Sequence, residues 1–171
     1  ATATLTVAKA TPSVTFTDLS KTYGDADFAL SATSSNTSSI TYTSSDTNVA
    51  TITGSTVTIT GAGTTTITMI QVADNNYLSA TATATLTVGK ATPSVTFADL
   101  SMTYGDADFV LSATSSNTSA ITYTSSDTSV ATITGSTVTI TGAGTTTITM
   151  IQVADDNYLS ATVTATLTVA K

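Results

Sequence analysis

A block of 81 residues written twice is the feature that most limits what this chain can become. Ala10-Thr11-Pro12-Ser13-Val14 returns 81 positions later as Ala91-Thr92-Pro93-Ser94-Val95, and 10–90 aligns with 91–171 without a gap and with eight differences. Residues 1–9 (ATATLTVAK) repeat 82–90 (ATATLTVGK) with one change. Solenoid coils repeat every 20–50 residues or so. A period of 81 is instead the size of a small domain that closes its own core. The expected organisation is a last strand of a preceding repeat over 1–9, one domain over 10–90 and a second over 91–171. Near-identical neighbours are expected to do the same job side by side, with a short linker at Lys90-Ala91-Thr92-Pro93.

Composition removes several kinds of chemistry. The chain has no Cys, His, Trp, Glu or Arg; its charge comes from 11 Asp and 4 Lys, for a net charge of −7. Without Cys there is no disulfide framework, and without Cys or His there is no zinc site of the usual kind. Without an imidazole, thiol or glutamate no nucleophile–base pair can be assembled, so an enzyme is not expected. Phosphate binding needs a basic face, so nucleic acid is excluded as a partner. No apolar run reaches 18 residues, so no membrane insertion is expected in this segment. Charged residues are 9% of the chain, yet 40% are hydrophobic, which sets it apart from disordered sequences.

The apolar positions alternate. In Ala80-Thr81-Ala82-Thr83-Ala84-Thr85-Leu86-Thr87-Val88 the alanines, Leu86 and Val88 share one face and the threonines the other. That period is a half-buried strand, and threonine, being β-branched, suits a pleated surface. Seven strands are predicted in the first repeat: A 13–18, B 28–34, C 40–44, D 48–53, E 56–60, F 64–72 and G 78–88. Gly54-Ser55 marks a two-residue hairpin, Gly61-Ala62-Gly63 the E–F turn, and Asp74-Asn75-Asn76 the F–G turn. The inward set is Val14, Phe16, Leu19, Phe28, Leu30, Ile40, Tyr42, Ala50, Ile52, Val57, Ile59, Ile67, Met69, Leu86 and Val88. Short strands punctuated by turns every 8–12 residues or so predict an all-β fold, a Greek-key β-sandwich in each repeat.

Particular residues carry a family likeness. Ser44-Ser45-Asp46-Thr47-Asn48-Val49-Ala50-Thr51-Ile52, then Gly54, Val57 and Gly61-Ala62-Gly63-Thr64-Thr65-Thr66-Ile67-Thr68, resemble the group 2 bacterial immunoglobulin-like domain. Lys21-Thr22-Tyr23-Gly24-Asp25-Ala26-Asp27-Phe28 is similar to the opening of MBG-type repeats of large bacterial surface proteins, with Phe28 where that pattern commonly has Pro. The resemblance implies two tandem Ig-like sandwiches on an extracellular, bacterial cell-surface protein. There such repeats serve as stalk and adhesive units.

Two function classes follow. The first is structural: stalk or extender repeats of a surface adhesin or extracellular fibre, whose partners are the neighbouring identical repeats in the same chain. The alternative is a direct binding module for a host or surface glycan or protein, for which Tyr23, Tyr42 and Tyr77 are the candidate face. No cofactor is expected, with one candidate exception. Asp25, Asp27 and Asp46 are placed in loops at the trailing end of the first repeat, and Asp155 and Asp156 in the F–G turn of the second. Oxygen-rich loops of that kind could share an interdomain calcium, which takes six to eight oxygen ligands; the bland reading is that these acids form turns. The Asn-x-Ser sequons at Asn36 and Asn117 fit chance in so Ser/Thr-rich a chain. Residues 1–9 could also pair with a neighbouring sheet edge, giving filament assembly by strand addition.

Overall fold

Alternation of small apolar residues with threonine produces strands and turns throughout, and no helix forms in the computed structural model, which describes residues 1–171. The chain divides into Ala1–Lys90 and Ala91–Lys171.

In the first unit the strands are β1 (Val14–Thr15), β2 (Leu19–Thr22), β3 (Phe28–Ala29), β4 (Thr33–Ser34), β5 (Ile40–Ser44), β6 (Ala50–Thr53), β7 (Thr56–Ile59), β8 (Gly63–Gln71) and β9 (Ala80–Gly89). One layer is a four-stranded sheet in the order β2-β9-β8-β5. The other is the three-stranded sheet β3-β7-β6, with the two-stranded pair β1-β4 beside it. In letters, C, F and G lie in one layer and A, B, E and D in the other, the Ig-like arrangement. The second unit repeats it as β10 (Val95–Thr96), β11 (Leu100–Thr103), β12 (Phe109–Val110), β13 (Thr114–Ser115), β14 (Ile121–Ser125), β15 (Ala131–Thr134), β16 (Thr137–Ile140), β17 (Gly144–Gln152) and β18 (Ala161–Ala170).

The structure changes the sequence reading in three places. Strand A, expected as one piece over 13–18, is split: β1 pairs antiparallel with β4, and the chain then crosses to the other layer. There β2 pairs parallel with β9, Leu19 opposite Leu86 and Thr22 opposite Gly89. The crossing falls at Thr17-Asp18, where the Thr85 N–H donates to Asp18 Oδ1 (2.7 Å) and so keeps a partner just ahead of the ladder. Strand B is likewise broken into β3 and β4. Finally, part of the stretch expected as a linker over Lys90–Pro93 belongs to the second unit: Ala91 bridges Tyr158 there and Pro93 is buried.

The core is the apolar face of both layers. Ala50, Val57, Ile67, Met69 and Leu86 are wholly buried. Leu30, Val49, Ala84 and Val88 complete it. Phe16 and Tyr42 pack at 5.7 Å between ring centroids, a tilted pair. Lys21, which is Met102 in the second unit, places Nζ 4.7 Å from the centre of the Phe28 ring. The D–E hairpin turns at Gly54, φ +64°, with no positive φ at Ser55, the pattern of a II′ turn. Residues 1–9 enter no sheet, and Leu5 and Val7 are 87% and 82% exposed.

Leu86→Ala should cost the first unit about 2–5 kcal/mol, as large-to-small changes in a closed core do. Ile70→Ala, on the outer face and 42% exposed, should cost well under half as much. Urea denaturation of the two variants checks the ordering.

Candidate functional site

Three polar assemblies stand out, one at each end of a unit and one along its flank. At the trailing end, where β9 finishes, the buried Thr65 hydroxyl is a hub. It lies 2.9 Å from Ser44 Oγ and 3.1 Å from Ser45 Oγ, and accepts from the Asp46 N–H at 3.0 Å. Asp46 Oδ1 in turn accepts from the backbone and side-chain N–H groups of Asn48, at 2.9 and 3.0 Å. Ser44-Ser45-Asp46 therefore forms a turn wrapped on strand F, which accounts physically for the Ser-Ser element of the motif.

The leading end, where the chain comes in, holds a second assembly around Gln71, the last residue of β8, which has no exposed surface. Its Oε1 accepts from Ser34 Oγ (2.5 Å), and its Nε2 donates to the carbonyls of Asn36 (2.8 Å) and Ser38 (3.1 Å). Ser34 belongs to strand B and Gln71 to strand F, so the bond joins the two layers. Asn36 is also buried: Nδ2 donates to the Val72 carbonyl (3.1 Å) and Oδ1 accepts from the Ser38 N–H (2.9 Å). The nitrogen that glycosylation would modify is enclosed and bonded, and Asn117 repeats the arrangement. No buried side-chain nitrogen or oxygen lacks a partner.

The incoming chain is fastened at the same end. Ala10 donates to the Asn76 carbonyl (2.8 Å) and accepts from the Leu78 N–H (2.9 Å), while Lys9 Nζ donates to the Asp74 carbonyl (2.6 Å). A cleft of about 550 Å³ lies here between Val7–Ala10 and Asn75–Tyr77. Asp74 caps the F–G turn, accepting from the Asn76 and Tyr77 N–H groups, both at 2.7 Å. Those two bonds, with the Lys9 charge, hold its carboxyl below the ordinary aspartate range, against a small opposing effect of burial. Asp127 is lowered likewise by the hydroxyl and N–H of Ser129.

The third feature is the flank. The Tyr23 N–H donates to the Gly89 carbonyl (2.8 Å), extending the parallel β2–β9 ladder to the very end of strand G. This ladder was missed by sequence reasoning; so were Asp18 and the Gln71 assembly.

The acids singled out in the sequence are spread over separate turns. Asp25 Oδ2 accepts from the Thr22 N–H (2.9 Å) and Asp27 Oδ2 from Thr58 Oγ1 (2.9 Å). Asp46 serves its own turn as described. Asp155 Oδ1 accepts from the N–H groups of Asn157 (2.8 Å) and Tyr158 (2.7 Å), and Asp156 is exposed beside it. Nowhere do three acidic side chains gather at metal-binding spacing. The tyrosines do not share a face either. Tyr42 and Tyr23 pack on the core, with the Tyr42 hydroxyl accepting from the Ala32 N–H (3.2 Å), and Tyr77 lies in the F–G turn.

No protein-family model matches the chain, and no curated protein does. Among solved structures, EC1-2 of human protocadherin-24 is 14% identical, with 95% of this chain and 99% of that one covered and a TM-score of 0.37. Domains 4 and 5 of the S-layer protein SbsC are 22% identical over 77% of each chain, TM-score 0.36. A SusE-like surface-located polysaccharide-binding protein of Bacteroides thetaiotaomicron is 13% identical, with 92% of this chain and 34% of that one covered, TM-score 0.34. These likenesses are weak, and the Ig-like fold rests on the strand order itself.

Gln71→Leu should cost about 2–3 kcal/mol by stranding the Ser34 hydroxyl and two enclosed carbonyls, and a double-mutant cycle with Ser34→Ala should show coupling between the layers. A carboxyl lowered in the folded state stabilises above its unfolded pKa, about 3.9, and that contribution disappears as pH falls through the lower folded value. Urea midpoints at neutral and strongly acidic pH should therefore diverge, and Asp74→Asn or Asp127→Asn should each narrow the gap.

Proposed function

We propose that each unit is a load-bearing spacer in the stalk of a secreted bacterial surface protein, setting reach while recognition is carried elsewhere. The observation that carries this reading is the parallel β2–β9 ladder. Strand β2 follows soon after the chain comes in at the leading end, and β9 leads it out at the trailing end. Tension on the chain would draw β2 backwards and β9 forwards. Parallel strands pulled that way are loaded in shear, so all the bonds of the ladder resist together rather than opening one at a time. The antiparallel β8–β9 ladder, from Gly63 opposite Val88 to Gln71 opposite Ala80, backs β9 on its other edge.

Three further features support the reading. Strand β9 has 10 residues, and at roughly 3.3 Å per residue such a strand gives a unit about 33 Å of length. The incoming backbone is bonded at Ala10 and Ala91, and Pro12 and Pro93 are buried, so little slack is available to absorb extension. The resemblance of Ser44–Ile52 and Gly61–Thr68 to group 2 bacterial Ig-like domains supports the surface location.

Single-molecule stretching of the intact chain tests it. Two similar force peaks are expected, one per unit. Lys21→Pro, which removes an N–H of β2 on the side that faces β9, in phase with the Tyr23 N–H that donates to Gly89, should lower one peak markedly and leave the other unchanged. Equal peaks in that variant would refute the ladder as the load path.

A further inference from the structure

The two units share strand order and register and differ at eight positions. Four of the eight lie outside the strands and are exposed in both copies: Thr17/Ala98, Ser39/Ala120, Asn48/Ser129 and Asn75/Asp156. Asn48 and Ser129 make the corresponding two bonds to the Oδ1 of their aspartate. The other four, Lys21/Met102, Ala29/Val110, Ala82/Val163 and Gly89/Ala170, all lie in strands, and three of them sit on the two strands of the parallel ladder. At each of these four the second unit holds the residue better suited to its place. Val110 and Val163 are β-branched where the first unit has alanine, and a pleated strand favours the branched side chain. Gly89 stands at the last rung of the ladder, opposite Thr22, and glycine loses more backbone freedom on folding than the alanine at 170. The backbone does not demand that glycine: its φ is not positive, and a Cβ there would meet only the Lys21 carbonyl, at 3.8 Å. Met102 packs against the apolar core, whereas Lys21 places an ammonium over Phe28 at the core's margin. That contact returns part of the difference, but it holds a rotamer-rich side chain in place.

We propose that the two units are graded in stability, the first opening before the second, and that the four strand positions carry the grading. All four changes act in one direction, so their effects accumulate rather than cancel. Identical units in series would open in random order; these open in a set one. The use of such grading rests on the spacer reading. Under tension the first unit would lengthen and relieve the load while the second kept its fold. The ladder that both units share keeps their force peaks alike in scale, and the grading sets their order.

Urea unfolding of the intact chain, with amide exchange read at Ile67 and its twin Ile148, tests this. Both residues are wholly buried on matching strands. Two transitions about 1 M urea apart are expected, the first unit leading, with Ile67 exchanging about tenfold or more faster than Ile148. Converting the first unit to its twin at the strand positions (Lys21→Met, Ala29→Val, Ala82→Val and Gly89→Ala) should bring the two transitions together. Converting the exposed positions instead (Thr17→Ala, Ser39→Ala, Asn48→Ser and Asn75→Asp) should leave the gap unchanged. Each substitution installs a residue that the second unit already accommodates, so both variants should fold. A single coincident transition in the original chain, or a second unit that opens first, would overturn the grading. So would a gap that survives the strand set, or one that the exposed set closes. None of these outcomes bears on the spacer reading, which is tested by force on the Lys21→Pro variant. Loss of that reading would leave the grading in place without its use under load.

Discussion

The parallel pairing of β2 with β9 is the contact on which the rest of each unit depends. It requires the first strand to leave its layer after two paired residues, Val14 and Thr15, and to re-form in the other. That crossing exposes a strand-G amide, and Asp18 accepts from it; Asp99 does the same for Thr166 at 2.7 Å. Once β2 is seated, strand G has neighbours on both edges and no longer presents a free one. The core beneath it is then sealed by Leu19 and Tyr23 at the margin. A domain of this size hides only about 60–65% of its unfolded surface, so closure at one margin matters more than in a larger protein.

Much of this architecture was legible because threonine and small apolar residues alternate with so little interruption. Strand C was placed at 40–44, where β5 stands, and the Gly54-Ser55 hairpin and the Asp74-capped turn fall where their turn chemistry puts them. The A′ strand was not legible. Leu19-Ser20-Lys21-Thr22 offers one large apolar residue in four, and its partner is 67 residues away, so no local pattern announces the pairing. The Gln71 assembly did leave a trace. Ile67, Met69 and Gln71 occupy successive inward positions of one strand, and an amide in such a place must find partners.

The acids illustrate the opposite difficulty. A sequence rich in Asp-containing loops says where oxygen is concentrated but not which way it faces. Asp25, Asp27, Asp46 and Asp155 each turn back on a nearby N–H or hydroxyl, completing a turn or a strand edge. The two copies agree here, down to Asp106 on Thr103 and Asp108 on Thr139. Hydrogen bonds of this kind are what turn-forming aspartates make, and composition alone does not separate that role from ligand binding.

Antibody domains bolt strand B to strand F with a disulfide; here Ser34 and Gln71 link the same two strands by hydrogen bonds. A staple of that kind contains nothing that glutathione can reduce or peroxide can oxidise. The fold of each unit therefore owes nothing to the thiol poise of its surroundings, and it needs no disulfide-forming step to close.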